Sequence, residues 1–124
     1  AGSGFVIPLY KRFPSAKTVY LDSPYVLGTT SFAYCDSMSR LICNMVAQNG
    51  IVSKSNEKPI KYKALVLAMM NVETRIRKEE LLSDVKYEIH CPRFGSERAK
   101  GNFEFIRELI DEIWVDYPTY VYYL

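Results

Sequence analysis

The sequence predicts an α+β fold in which a four-stranded antiparallel sheet carries two helices on one face, with an extra helix at the C-terminal end. Two observations favour this class. β-rich segments and segments of helical periodicity follow one another in the order β-α-β-β-α-β, and a third helical pattern comes after them. The chain has 124 residues, which is enough for one domain with its own core.

Four strands are predicted from short runs of β-branched, aromatic or alternating apolar residues that end at turn residues. They are expected at residues 18–22, 51–54, 60–69 and 85–91. The third of these runs from Ile60 to Met69 and alternates like a central strand. Short edge strands are also expected at residues 5–9 and 117–123.

Helical spacing of apolar residues predicts three helices, at residues 31–48, 72–82 and about 103–114. The first has an apolar stripe through Leu41 and Ile42 and a stop signal at Asn49-Gly50. The last has one apolar side, opposite an acidic side, and Pro118 ends it.

The domain organisation follows from these elements. Residues 1–17 are interpreted as a cloning remnant (Ala1 to Gly4) and a leader, 18–92 as the main domain, and 93–124 as an extension that contains the last helix. No apolar run approaches the ~18 residues that span a membrane, and no signal peptide is recognised. The expected location is therefore intracellular, either nuclear or cytoplasmic.

Motifs for metal binding or catalysis are not found in the sequence. The three cysteines, Cys35, Cys43 and Cys91, have no C-x-x-C spacing, and His90 is the single histidine. No phosphate-binding glycine loop or hydrolase signature is present. We therefore expect no enzyme activity, no catalytic residues, no metal and no small-molecule cofactor.

The net charge of +2 is distributed unevenly. Residues 1–63 carry eight basic and three acidic residues, a net charge of +5, whereas residues 64–124 carry eight basic and eleven acidic residues, a net charge of −3. A basic first half is compatible with phosphate contacts.

Two segments resemble motifs of the RNA recognition motif (RRM) family. Val19 to Pro24 is similar to the first-strand motif of that family, with Tyr20 at a base-stacking position. Lys61 to Ala68, KYKALVLA, is similar to the third-strand motif. The resemblance covers about residues 18–91 and implies a ferredoxin-like RRM sandwich. It also implies that an added C-terminal helix either binds proteins or controls access of RNA to the sheet.

The third-strand segment departs from the family pattern at its stacking positions. Lys63 and Leu65 stand where the family has aromatic residues. Because each base stacked on an aromatic ring contributes about 1–3 kcal/mol, their absence weakens RNA binding. A strand here would instead place Leu65 and Leu67 on an open sheet face, where apolar patches have a cover or a partner.

Three functional hypotheses follow. The leading one is a non-enzymatic RRM-like protein-interaction or dimerisation module that serves as a scaffold in RNA processing. Its interface candidates are Leu65, Leu67, Phe103, Ile106, Ile110, Trp114 and Tyr34. The second is a weak single-stranded RNA binder that uses Tyr20, Lys54, Lys61 and Lys63. The third is a self-associating viral structural protein, from a resemblance of residues 18–70 to rhabdovirus matrix proteins.

Overall fold

The computed structural model describes residues 11–12, 14–22, 25–35, 40–50, 53–96 and 99–123. These residues form a mixed α and β fold, which confirms the predicted class at that level. In chain order the elements are α1 (Pro14–Asp22), β1 (Thr30–Cys35), β2 (Arg40–Met45), α2 (Tyr62–Ser83), β3 (Ile89–Pro92), α3 (Phe103–Ile113) and β4 (Thr119–Tyr122). The four strands form two separate two-stranded sheets and not the predicted four-stranded antiparallel sheet.

The long helix α2 replaces the predicted third strand. Its buried residues are Ala64, Leu65, Ala68, Met69, Val72 and Ile76, which recur with helical spacing. No Gly or Pro lies between Pro59 and Pro92, so nothing interrupts the helix in the middle. The helix predicted at 72–82 is therefore the second half of α2.

A β-hairpin occupies the segment predicted as the first helix. β1 and β2 pair antiparallel, with Thr30 opposite Met45 and Cys35 opposite Arg40. The apolar stripe predicted for a helix is thus divided between two strands. Residues 36–39, between the strands, lie outside the described part of the chain.

The first predicted strand is also helical, because residues 18–22 belong to α1, which packs against the hairpin. Pro14 suits the first position of a helix, since its fixed φ is helical and its missing N–H is not needed there. Of the strand predicted at 51–54, Ser53 forms only an isolated bridge with Asn56, and residues 51–52 lie outside the described part. The edge strand expected at residues 5–9 lies there too.

The C-terminal third agrees best with the sequence. β3 and β4 fall within the strands predicted at 85–91 and 117–123, apart from Pro92, and α3 matches the helix predicted at 103–114. Asn102 caps α3, because its side chain accepts hydrogen bonds from the N–H groups of Glu104 and Phe105. The two strands are parallel, with Ile89 opposite Thr119 and Pro92 opposite Tyr122.

One hydrophobic core joins these elements. Leu65, Met69 and Ile106 are among its most completely buried side chains, and α2 contacts both the hairpin and α3. Trp114 Nε1 donates a hydrogen bond of 2.9 Å to the carbonyl of Met69, which ties the end of α3 to α2. Among the described residues, no helix is both long and apolar enough to cross a membrane.

Candidate interaction surface

Three aromatic side chains cover the outer face of the β3–β4 sheet. His90 on β3 lies beside Tyr120 and Tyr122 on β4, and all three are exposed. The His90 ring is stacked on Tyr120 with centroids 5.0 Å apart, and its plane is within 12° of the Tyr122 ring at 5.6 Å. We call His90, Tyr120 and Tyr122 the aromatic face.

Hydrogen bonds hold the aromatic face in place. His90 Nδ1 lies 2.6 Å from Tyr122 Oη, and His90 Nε2 lies 2.8 Å from Glu88 Oε1. Both ring nitrogens of the histidine are therefore engaged. Because the rings are already ordered, a partner that packs on them would immobilise few additional rotamers.

A second group of aromatic and arginine side chains lies next to the end of β4. Tyr123 is 65% exposed, and its hydroxyl accepts a hydrogen bond of 2.9 Å from Arg107 Nη2 on α3. The guanidinium of Arg93 lies 5.0 Å from the Tyr123 ring centroid and 5.5 Å from that of Phe103. These cation–π contacts join β4 to α3 and continue the aromatic surface beyond the sheet.

A cleft of about 420 Å³ separates α3 from β4. Its lining combines charged and apolar side chains: Arg107, Ile110, Asp111, Trp114, Val115, Tyr117, Thr119 and Val121.

The residues predicted to contact RNA do not share a sheet face. Tyr20 belongs to α1, and its side chain lies outside the described part of the structure. Lys54 is exposed in a turn, Lys61 is the residue before α2, and Lys63 is exposed in its first turn. The helical conformation of residues 62–69 removes the strand on which Lys61 and Lys63 were expected to contact phosphates.

Most of the predicted interface residues are in the core. Leu65 is 1% exposed, and Phe103, Ile106, Ile110 and Trp114 are also buried. Leu67 differs, because it is 45% exposed and contacts Gly28. Leu65 and these four residues of the C-terminal segment belong to one hydrophobic core, in which α2 contacts α3.

Tyr34 stabilises the fold through a polar cluster between the hairpin and α2. Its hydroxyl donates a hydrogen bond to the Glu79 carboxylate, which also accepts one of 2.8 Å from Arg75 Nε. The Tyr34 hydroxyl and Arg75 together hold the pKa of Glu79 below its ordinary value. This engagement makes Tyr34 a contact between two elements of the fold.

The described residues give no sign of a metal or thiol site. They contain no group of three or more His, Cys, Asp or Glu side chains arranged to hold a metal ion. Burial raises the pKa of the Cys43 thiol to about 12 and that of Cys91 to about 11. Such thiols are protonated at neutral pH and are poor nucleophiles.

The aromatic face was only partly visible in the sequence. The crowding of Tyr117, Tyr120, Tyr122 and Tyr123 in the last eight residues was the available signal. His90 could not be linked to them, because its contact with Tyr120 depends on a strand pairing across 30 residues of chain.

Comparisons with known proteins show that solved structures with a similar fold exist. No protein-family model matches the chain, and no curated protein matches it. Two solved structures from Bacteroides thetaiotaomicron are similar, and one is described as a protein of unknown function. Each has a TM-score of 0.79 and 24% sequence identity, covering 99% of this chain and 79% or 80% of the other.

Proposed function

We propose that this chain is a non-enzymatic protein-interaction module and that the aromatic face is its contact surface. One observation carries the proposal. Tyr120 and Tyr122 are 48% and 49% exposed, yet both are held beside His90 by ring contacts or a hydrogen bond. Exposed aromatic side chains that are already ordered are typical of interface hot spots.

Tyrosine suits this role for a physical reason. It brings a large apolar ring with only two side-chain torsions, and its hydroxyl forms hydrogen bonds at the rim of a contact. The neighbouring Arg93 and Arg107 add a residue type that is enriched at protein interfaces. The surface therefore offers apolar area with a polar rim, and its side chains lose little conformational entropy when a partner binds.

The charge around the aromatic face favours a protein partner over RNA. Glu88 is exposed and contacts His90 within the aromatic face, whereas Arg93 and Arg107 lie outside it, at Tyr123. A carboxylate on the face repels the phosphates that supply most nucleic-acid affinity. The RNA-processing setting came from the RRM resemblance. Residues 19–22 and 62–68 of its two motifs are helical here, so our proposal is limited to protein binding.

Affinity capture from cells that naturally produce the protein, followed by calorimetry with a purified partner, tests the proposal. The Tyr120→Ser/Tyr122→Ser variant should weaken binding of that partner by at least about tenfold, because truncation of a hot-spot residue costs on the order of 2 kcal/mol. Tyr25→Ser is the matched control, because Tyr25 is also an exposed tyrosine but lies ahead of β1.

Three outcomes would contradict the proposal. The first is a set of captured proteins that is the same for the wild type and the folded double variant. The second is tight, tyrosine-dependent binding of mixed-sequence single-stranded RNA in fluorescence anisotropy, which would favour the RNA hypothesis. The third is open-ended self-association in sedimentation, which would favour the matrix-like hypothesis.

A further inference from the structure

Within the described part of the chain, the outer edge of β4 has no strand paired to it. The N–H of Ile89 donates to the carbonyl of Pro118, which fixes the direction in which the β4 backbone groups point. Because these directions alternate along a strand, the backbone N–H and C=O groups of Tyr120 and Tyr122 face β3. Those of Thr119 and Val121 face away from it. Among the described residues, no third strand pairs with β4.

The cleft between α3 and β4 is lined in part by the two residues whose backbone groups face away from β3. Thr119 and Val121 line it on one side, and Arg107 and Asp111 of α3 line the other. A groove between a strand edge and a helix is the arrangement in which an extended peptide adds as a further strand. Backbone hydrogen bonds then give affinity, and the groove reads alternate side chains.

The two charges of the groove are available to a ligand. Arg107 uses one N–H for the hydroxyl of Tyr123, and a guanidinium has five such donors. Arg107 and Asp111 are four residues apart on α3, but no salt bridge joins them. The contact with Tyr123 places Arg107 near the end of β4, while Asp111 lies nearer the turn that leads into Thr119.

We propose that this groove binds an extended peptide that adds antiparallel to β4, with an acidic side chain opposite Arg107 and a basic side chain opposite Asp111. The proposal rests on the function proposed above, because it specifies the partner of a protein-binding module. Antiparallel addition is chosen because antiparallel pairing is the more stable and the more common arrangement.

The spacing of the two charges defines the peptide motif. Four residues of a helix rise about 6 Å, and two residues of a strand span about 6.8 Å. The acidic and basic side chains of the peptide are therefore separated by one residue. Arg107 contacts Tyr123 just after β4, and only residues 114–118 connect the end of α3 to the start of β4, so we infer that α3 and β4 run in opposite directions. An antiparallel peptide therefore passes Arg107 before Asp111, which gives the order acidic-x-basic.

The middle residue of the motif connects the groove to the aromatic face. Successive side chains of a strand point to opposite faces. A peptide whose charged side chains point into the groove therefore places its middle residue on the same side as Tyr120 and Tyr122. We expect this residue to be apolar, because it would pack beside exposed rings.

Fluorescence anisotropy with two labelled heptapeptides tests the proposal. The probe has the sequence Ser-Val-Glu-Val-Lys-Val-Ser, and in the matched control Glu and Lys are exchanged. The wild-type protein should bind the probe roughly five- to tenfold more tightly, because each exposed ion pair changes affinity by only a few-fold and two pairs change together. The charge-swapped variant Arg107→Glu/Asp111→Lys should reverse this preference.

Amide NMR of the complex supplies a second readout. The N–H signals of Thr119 and Val121 should shift and become protected from exchange when the probe binds, since these groups gain hydrogen bonds. Equal affinity for both peptides, no binding at millimolar concentration, or shifts confined to other elements would overturn the proposal. If binding of a captured partner requires Tyr120 and Tyr122 but is unchanged in the charge-swapped variant, the peptide-binding proposal fails while the proposed protein-binding function is retained.

Discussion

Replacing Leu65 or Leu67 by alanine separates the helical structure from the strand that the sequence suggested. Leu65 is 1% exposed within the core, whereas Leu67 is 45% exposed. Truncating a fully buried leucine costs about 2–5 kcal/mol, because transfer free energy is lost and a cavity remains. A half-exposed leucine loses only part of the ~1.5–3 kcal/mol of burial, so about 0.5–1 kcal/mol is expected.

Urea unfolding followed by far-UV circular dichroism measures this difference. Alanine is the best helix former at either position, so intrinsic propensity does not favour one variant over the other. We expect Leu65→Ala to lower the free energy of unfolding by roughly 2 kcal/mol more than Leu67→Ala, with an unchanged m-value. On an open sheet face both residues would point outward and the two losses would be similar. A difference below about 0.5 kcal/mol would refute the helical packing.

Three further predictions concern ionisation, thiols and backbone space. The folded-state pKa of Glu79 is lowered, so its stabilising contribution is present above the unfolded pKa of ~4.3 and is lost as the pH falls. Between pH 5 and 3 the free energy of unfolding should therefore fall more for the wild type than for Glu79→Gln. An equal fall in both proteins would argue against the cluster of Tyr34, Arg75 and Glu79. Cys43 and Cys91 should react with a disulfide reagent at pH 8 at least about 100-fold more slowly in the folded protein than in urea. Mass spectrometry identifies the labelled cysteines. Rapid labelling of either thiol in the folded protein would contradict its position in the structure. A Cβ at Gly101 would lie 2.1 Å from the carbonyl oxygen of Gly95, so Gly101→Ala should destabilise the protein by about 1–3 kcal/mol, and an unchanged melting temperature would contradict this close approach.

The errors in the predicted elements have a common physical origin. Within the segment predicted as the third strand, Ala64 to Met69 is a short apolar run, and such runs fit a buried helix and a buried strand equally well. Its helix-forming residues and the lack of Gly or Pro as far as Pro92 were the neglected signals. In the hairpin, the pairing of Thr30–Cys35 with Arg40–Met45 divides the stripe that was interpreted as one helix, and this pairing joins two separate segments of the chain.

The candidate site was predicted only in fragments. Trp114 and Phe103 were recognised as apolar, but burial decided that they stabilise the core. The groove depends on how α3 lies beside β4, and no local pattern contains that information. Tyr34 likewise was an interface candidate until Glu79 and Arg75, more than 40 residues away, were found to engage its hydroxyl.

The sequence by itself determined the mixed α and β class, the amphipathic helix α3 and the tyrosine-rich last strand, because helical periodicity and turn residues act within a few residues. Only the tertiary structure decided that Ile60 to Met69 is helical and that β3 pairs parallel with β4. It also brought His90 to Tyr120 and Tyr122 and opened a groove beside Thr119 and Val121. These features depend on contacts between distant segments, whose free energy comes from burying apolar surface in a shared core.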